Sequence, residues 1–236
     1  MTLRGRTALI TGASRGIGAA IARRLGAAGV RVVLVARSDV LLRALAESID
    51  GAIAVPCDMS DRAALAGLVQ EVTDRLACAP DILVNNAGSF FIAPAMETSI
   101  DAFRETLDLN LAAPFALVHE IVPTMRQRGE GHVVTIGSIA DRAAFPGNIA
   151  YASSKFGLRA LHEVLRAELK GTGVRTSLVS PGPVDTELWD AIDAKDRAGL
   201  TPRAEMLSAE AVADAVEYVL SLPPAVNIDE LRLSHS

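Results

Sequence analysis

Aromatic side chains are scarce in this chain: Phe, Trp and Tyr make up 4% of its 236 residues. Ala, Val, Leu and Ile must therefore fill whatever core it has, and a single α/β domain of this length buries a large one. Cysteine is nearly absent too. Cys57 and Cys78 cannot build a disulfide framework and have no metal-like spacing, which predicts free thiols in a reducing compartment. No apolar run approaches the ~18 residues of a membrane span. The opening "MTLRGRTALITG" runs straight into a strand without the apolar stretch of a signal peptide, so a cytoplasmic protein with no membrane partner is expected. Basic blocks are missing as well: nothing exceeds "RR", and the net charge is −5. That argues against a nucleic-acid partner while leaving room for a local phosphate pocket. His119, His132, His162 and His235 show no ligand spacing, and no metal is expected.

What the chain does have is alternation. The runs 7–11, 31–36, 52–57, 81–85, 132–137 and 175–180 are short, rich in β-branched residues and bounded by turn residues. They read as strands buried on both faces, and a last one is expected within 227–233. Helix-length segments lie between them. Ile17, Ile21, Leu25 and Ala28 share one helical face, and Gly29 stands where that helix should stop. Repeated strand–helix units predict one doubly wound parallel sheet of about seven strands, with ligands at the carboxyl ends of the strands. The polar stretch 185–207 interrupts the alternation and reads as a substrate lid.

The first strand ends in "TGASRGIG". Gly12, Gly16 and Gly18 permit a tight turn and close backbone approach, and the helix that follows offers its N-terminus to a pyrophosphate. A strand before and a helix after are the context of a dinucleotide site. No "GK[ST]" follows, which disfavours an ATP or GTP loop. The second strand ends in Ala36 and Arg37, with no carboxylate to hold a ribose 2′-hydroxyl. Arg37 and Arg15 together would attract a 2′-phosphate, so NADP is expected over NAD.

Further along, "YASSK" places Tyr151 and Lys155 four apart on one helical face. Carbonyl reduction by hydride needs a proton donor at the developing alkoxide. A phenol can serve when a nearby cation lowers its pKa. Ser138, at the end of the preceding strand, could hold the carbonyl oxygen. Alone, the pair could equally be an exposed helix pair and Ser138 a turn serine.

Taken together, these stretches resemble the short-chain dehydrogenase/reductase family, in its TGxxxGxG and YxxxK subgroup. The likeness covers residues ~5–190 through "TGASRGIG", "CDMS", "NNAG", "LNLAAPF", "IGS", "YASSK" and "PGPVDT". It implies a Rossmann-type fold and hydride transfer on NAD(P) between a carbonyl and an alcohol. Ser138 would orient the carbonyl, Tyr151 would be the acid or base, and Lys155 would lower the tyrosine pKa and bind the nicotinamide ribose. Asn110 would hold a helix bend and a water. The cofactor would lie along Gly12, Ser14, Arg15, Gly16, Ile17 and Gly18, with Arg37 and Ser38 at its ribose. Asp58 and Met59 would lie by the adenine, and Asn85, Ala87 and Gly88 along the adenosine side. Pro181, Gly182, Val184 and Thr186 would frame the nicotinamide.

The ending "LPPAVNIDELRLSHS" lacks the glycine-rich "G…DGG"-like close of many 3-oxoacyl-carrier-protein reductases, which weakens that substrate reading. Small hydroxy-acid dehydrogenases and miscellaneous carbonyl reductases remain as models. Outside that class stands a non-catalytic NADP-binding sensor; a methyltransferase is disfavoured by the Tyr–Lys pair. Ala143, Ala144, Phe145 and Trp189 suggest an apolar pocket wall, and Arg142 either meets an anionic group or is solvated. The helices expected around 103–127 and 148–170 could pair copies of the chain, so a homo-oligomer, dimer or tetramer, is expected.

Overall fold

The computed structural model describes residues 2–190, 192 and 200–236. Seven parallel strands form one sheet: β1 (Thr7–Thr11), β2 (Arg31–Ala36), β3 (Ile53–Pro56), β4 (Ile82–Asn85), β5 (Gly131–Ile136), β6 (Val174–Pro181) and β7 (Glu230–Leu233). Their order is β3-β2-β1-β4-β5-β6-β7. The chain runs outward in one direction from β1, then returns to add β4 on its other side. Between β1 and β4 the strand order reverses, and a crevice opens at the carboxyl edge there.

Alternate residues of each strand face opposite layers, and both layers are apolar. Ala8, Ile10, Val32, Leu34, Ile82 and Val84 pack with Ile21, Leu25, Leu42, Val212 and Val216. Those partners come from α1 (Gly16–Ala27), α2 (Asp39–Glu47) and α7 (Ala209–Ser221). Leu9, Val33, Val35, Leu83 and Val133 pack on the other face with Leu68, Val72, Leu117, Ile121 and Leu165. These belong to α3 (Arg62–Leu76), α5 (Ala113–Arg128) and α6 (Ile149–Glu168).

β3, β4, β5 and β6 begin and end within a residue of the apolar runs, and β1 and β2 match them. β7 lies within 227–233, and before it the Asn227 side-chain amide donates to the Thr176 carbonyl (2.9 Å) and the Asp229 carboxylate (2.7 Å). Ala28 lies just past α1 as its capping residue, and Gly29 follows at φ +81°, a left-handed turn suited to glycine. Between α4 (Ile100–Leu107) and α5 the chain makes a π-helical turn, Asp108–Ala112. Of the stretch 185–207, residues 191 and 193–199 lie outside the described residues; the rest holds two short 3₁₀ turns, Glu187–Trp189 and Arg203–Glu205. No helix among the described residues is long and apolar enough to cross a membrane.

Candidate active site

The crevice at the carboxyl edge is a cleft of about 750 Å³. At one end the β1–α1 loop forms its floor, held by Thr11 at the end of β1. The Thr11 hydroxyl accepts from the backbone N–H groups of Asn86 and Ala87, both at 3.0 Å, and donates to the Val84 carbonyl at 3.2 Å. Asn86 returns the contact, its amide donating to the carbonyls of Thr11 (2.9 Å) and Gly12 (3.3 Å). The approach is so close that a Cβ on Gly12 would stand 2.8 Å from Ala87 Cα, and Gly12 has φ +64°. A Cβ on Gly18 would overlap the Gly12 carbonyl oxygen. These two glycines are required by the packing of loop, strand and helix.

Helix α1 starts at Gly16 with no side-chain cap and no acid in its first turn. Its first N–H groups therefore remain free for an anion. Gly12, Ser14, Arg15, Gly16 and Ile17 line the cleft here, with Arg37 and Ser38 beside them. Arg15 and Arg37 are exposed and make no ion pair with a described residue. Ser38 also caps α2 by accepting from Leu41 N at 3.5 Å.

Met59, Ala87 and Gly88 line the adjoining wall, and Pro181, Gly182, Val184 and Thr186 line the opposite one. Gly18, Asp58, Asn85 and Asn110 are not among the lining residues. Asp58 is turned onto Ser60, accepting from its N–H (2.9 Å) and hydroxyl (2.6 Å), which lower its carboxyl below the usual value. Asn85 is buried with neither amide atom hydrogen-bonded. Its neighbour Asn86 is the one that lines the cleft. Adjacent strand-end residues point to opposite sides, and the doubled "NN" did not say which side was which.

Fully buried Asn110 explains the π turn. Its carboxamide oxygen accepts from Ser89 N (2.8 Å), and its nitrogen donates to Ser89 O and Ser154 Oγ, both at 3.0 Å. The turn is thereby tied to the loop after β4 and to α6, beside Lys155.

Tyr151 and Lys155 stand on the first two turns of α6, and both line the cleft with Ser138. Ser138 opens a short 3₁₀ turn, Ile139–Asp141, and its hydroxyl accepts from Ala140 N at 3.1 Å. Burial raises the Tyr151 pKa, and the Ser138 side chain works against that rise. Lys155 is buried, donates to the Ile136 carbonyl at 2.8 Å, and its ammonium lies 5.6 Å from the Tyr151 ring centroid. Burial brings the Lys155 pKa down to about 8, with Asp141 opposing the fall. At neutral pH the phenol is therefore protonated and the ammonium mostly charged. Burial and the Asp141 carboxylate raise the phenol's pKa, and the Ser138 side chain alone opposes them.

Phe90 forms edge-to-face contacts with Tyr151 (4.9 Å) and with Trp189 (5.2 Å). With Phe145 they give this end of the cleft an aromatic wall, while Ala143 and Ala144 do not line it. Arg142, read from sequence as meeting an anionic group or solvent, meets two carboxylates of the chain itself. It bonds Asp141 Oδ1 through Nε at 2.7 Å and pairs with Glu230. No group of three His, Cys, Asp or Glu side chains among the described residues could hold a metal.

The model of the short chain dehydrogenase family matches residues 6–197. The chain belongs to that family. Proteins of similar sequence include glycine betaine reductase ATRR of Emericella nidulans, 38% identical over 239 residues, 98% of this chain but 19% of that much longer protein. Among solved structures, a metagenomic short-chain oxidoreductase in complex with NADP has a TM-score of 0.84 at 33% identity, covering 100% of this chain and 99% of its own. The closed form of a serine dehydrogenase complexed with NADP+ has a TM-score of 0.87 at 31% identity, covering 96% and 93%.

Proposed function

We propose that this short-chain dehydrogenase is an NADP(H)-dependent oxidoreductase that interconverts a carbonyl and a secondary alcohol. One observation carries the reading: Ser138, Tyr151 and Lys155 converge on the cleft that the β1–α1 glycine turn floors. The residues fit a dinucleotide. Gly12 leaves room where a Cβ would not fit, the start of α1 is uncapped, and Arg15 and Arg37 are free to meet a 2′-phosphate. The two neighbours solved with NADP agree with this choice. When bound, the nicotinamide supplies or accepts the hydride.

The chain's own groups handle the oxygen and the proton. Ser138 donates to the carbonyl oxygen and orients it. Tyr151 gives its proton to the developing alkoxide in reduction and takes it back in oxidation. Lys155, anchored on Ile136 O, stabilises charge as it forms on the phenolic oxygen and reaches the nicotinamide ribose. Asn110 holds the bend that seats the start of α6. Asp58, Asn85 and Gly18 support the cofactor from behind the lining residues.

The substrate end is aromatic, and Lys155 is its one cation among the described lining residues; the arginines stand at the other end. That favours a carbonyl with an apolar body over the anionic substrates of a 3-oxoacyl-carrier-protein reductase or a hydroxy-acid dehydrogenase. Phe115 and Val164 leave an apolar outer face on α5 and α6, exposed at 56% and 57%, which supports a homo-oligomer. The test is an NADPH-oxidation screen across neutral ketones, aldehydes, 3-oxoacyl thioesters, hydroxy acids and ammonium-bearing alcohols and aldehydes. Steady turnover of one class supports the proposal. Tight NADPH binding without turnover on any class would point instead to a non-catalytic sensor.

A further inference from the structure

Behind the Tyr151–Lys155 pair lies a carboxylate with no exposed surface. Asp141 closes the 3₁₀ turn that Ser138 opens, and a buried charge of this kind must be matched by neighbours. One of its oxygens accepts from the Ser180 hydroxyl at 2.5 Å and from Ser138 N at 3.4 Å. The other accepts from Arg142 Nε at 2.7 Å, with Arg159 Nη1 of α6 at 3.7 Å. Both guanidiniums also grip Glu230 of β7, Arg159 at 2.9 Å, and Arg159 first, then Arg142, hold its carboxyl down to about 2. Glu163 (2.9 Å from Arg159) and Arg232 (2.8 Å from Glu230) close the periphery.

A clasp that merely bound β7 to α6 would need only Arg159 and Glu230. Asp141 adds two things: a bond to the backbone of Ser138, and a buried negative charge facing the catalytic groups. We infer that Asp141 is a positioning residue that fixes the Ser138 turn and holds a buried carboxylate on the Tyr151–Lys155 side of it. The inference rests on the proposed acid role of Tyr151. The charge acts in one sense on both groups, favouring the protonated phenol and the protonated ammonium. Arg142 and Arg159 offset Asp141 and Glu230 together, and Glu163 and Arg232 offset each other at the periphery.

The experiment compares Asp141→Asn with Glu230→Gln, each removing one acid from the same clasp. Asp141→Asn is expected to lower kcat by roughly 10- to 100-fold with KM little changed, as misplacement of a catalytic group does. The pH at which reduction declines should move down by about one unit, the scale of a lost neighbouring charge. Glu230→Gln is expected to lower thermal stability without moving the profile. A readout independent of turnover is the ultraviolet titration of the phenol. The chain has two tyrosines, so in a Tyr218→Phe background the signal is that of Tyr151, and Asp141→Asn should ionise at lower pH. If Asp141→Asn does not fold, Asp141→Ser, which also removes the carboxylate and keeps Arg142 and Arg159, carries the same expectation. An unshifted profile and titration with only reduced stability would overturn the inference, as would an equal shift in Glu230→Gln. Tyr151→Phe is measured alongside: wild-type turnover there would mean that the acid assignment has failed, whereas loss there with an unmoved Asp141→Asn would mean that only the positioning role has.

Discussion

Replacing Arg37 with aspartate should exchange the cofactor preference of this enzyme. Arg37 follows the last residue of β2, lines the cleft, and pairs with no described carboxylate, so its charge is available to a 2′-phosphate. A hydrogen bond to a charged group contributes ~1.5–3 kcal/mol. Arg37 is exposed, and solvent screening reduces this to about 1 kcal/mol. Arg37→Ala should therefore weaken NADPH by about fivefold, since 1.4 kcal/mol is tenfold. Arg37→Asp turns that attraction into a repulsion of similar size and should weaken NADPH by roughly 30-fold. NADH should hold or gain, because the new carboxylate can accept from the ribose 2′-hydroxyl. The NADPH-to-NADH affinity ratio, read by nicotinamide fluorescence at low salt, should thus fall by at least ~30-fold. Arg15→Ala should move it in the same direction, and both effects should shrink as salt is raised. A ratio unchanged within twofold would refute the assignment of the phosphate to these arginines.

Reduction should hold its rate up to about pH 8 and fall above it, because the Lys155 ammonium is lost there while the phenol keeps its proton to higher pH. Oxidation, which needs the deprotonated phenol, should rise only at higher pH, above the range in which the ammonium is lost; reduction that climbs through pH 8 would reverse the sign and contradict the account. Asn86→Ala removes the two bonds that tie the glycine turn to β4. It should cost about 1–2 kcal/mol, or roughly 2–8 °C in Tm for a chain of this size. Asn85→Ala, losing an amide with no hydrogen-bond partner, should cost less; the reverse order in a thermal melt would contradict the hydrogen-bond assignment.

The sheet was legible because parallel strands buried on both faces read as unbroken Val, Ile and Leu runs, and β1 and β2 begin and end where those runs do. The cofactor end was legible too, since glycines, a strand before them and a helix after them have one physical use together. Side-chain direction was not. Nothing local distinguishes Asn85 from Asn86, and only the register of β4 against its neighbours turns one inward and the other to the cleft. Arg142 read as a pocket or solvent residue because its partners, Asp141 and Glu230, are an adjacent residue and one 88 positions along, joined only when β7 docks beside β6. The phenol's raised pKa was equally hidden: spacing shows a cation four residues away but not how deeply both groups are buried.

The most direct measurement is turnover of Tyr151→Phe under saturating NADPH with whichever carbonyl the wild type reduces best. The substitution keeps the ring and its 4.9 Å contact with Phe90 and removes only the hydroxyl. The account predicts a loss of ~10²–10⁴-fold, the scale of general acid catalysis, with NADPH affinity nearly unchanged. Turnover within a few-fold of wild type would contradict it.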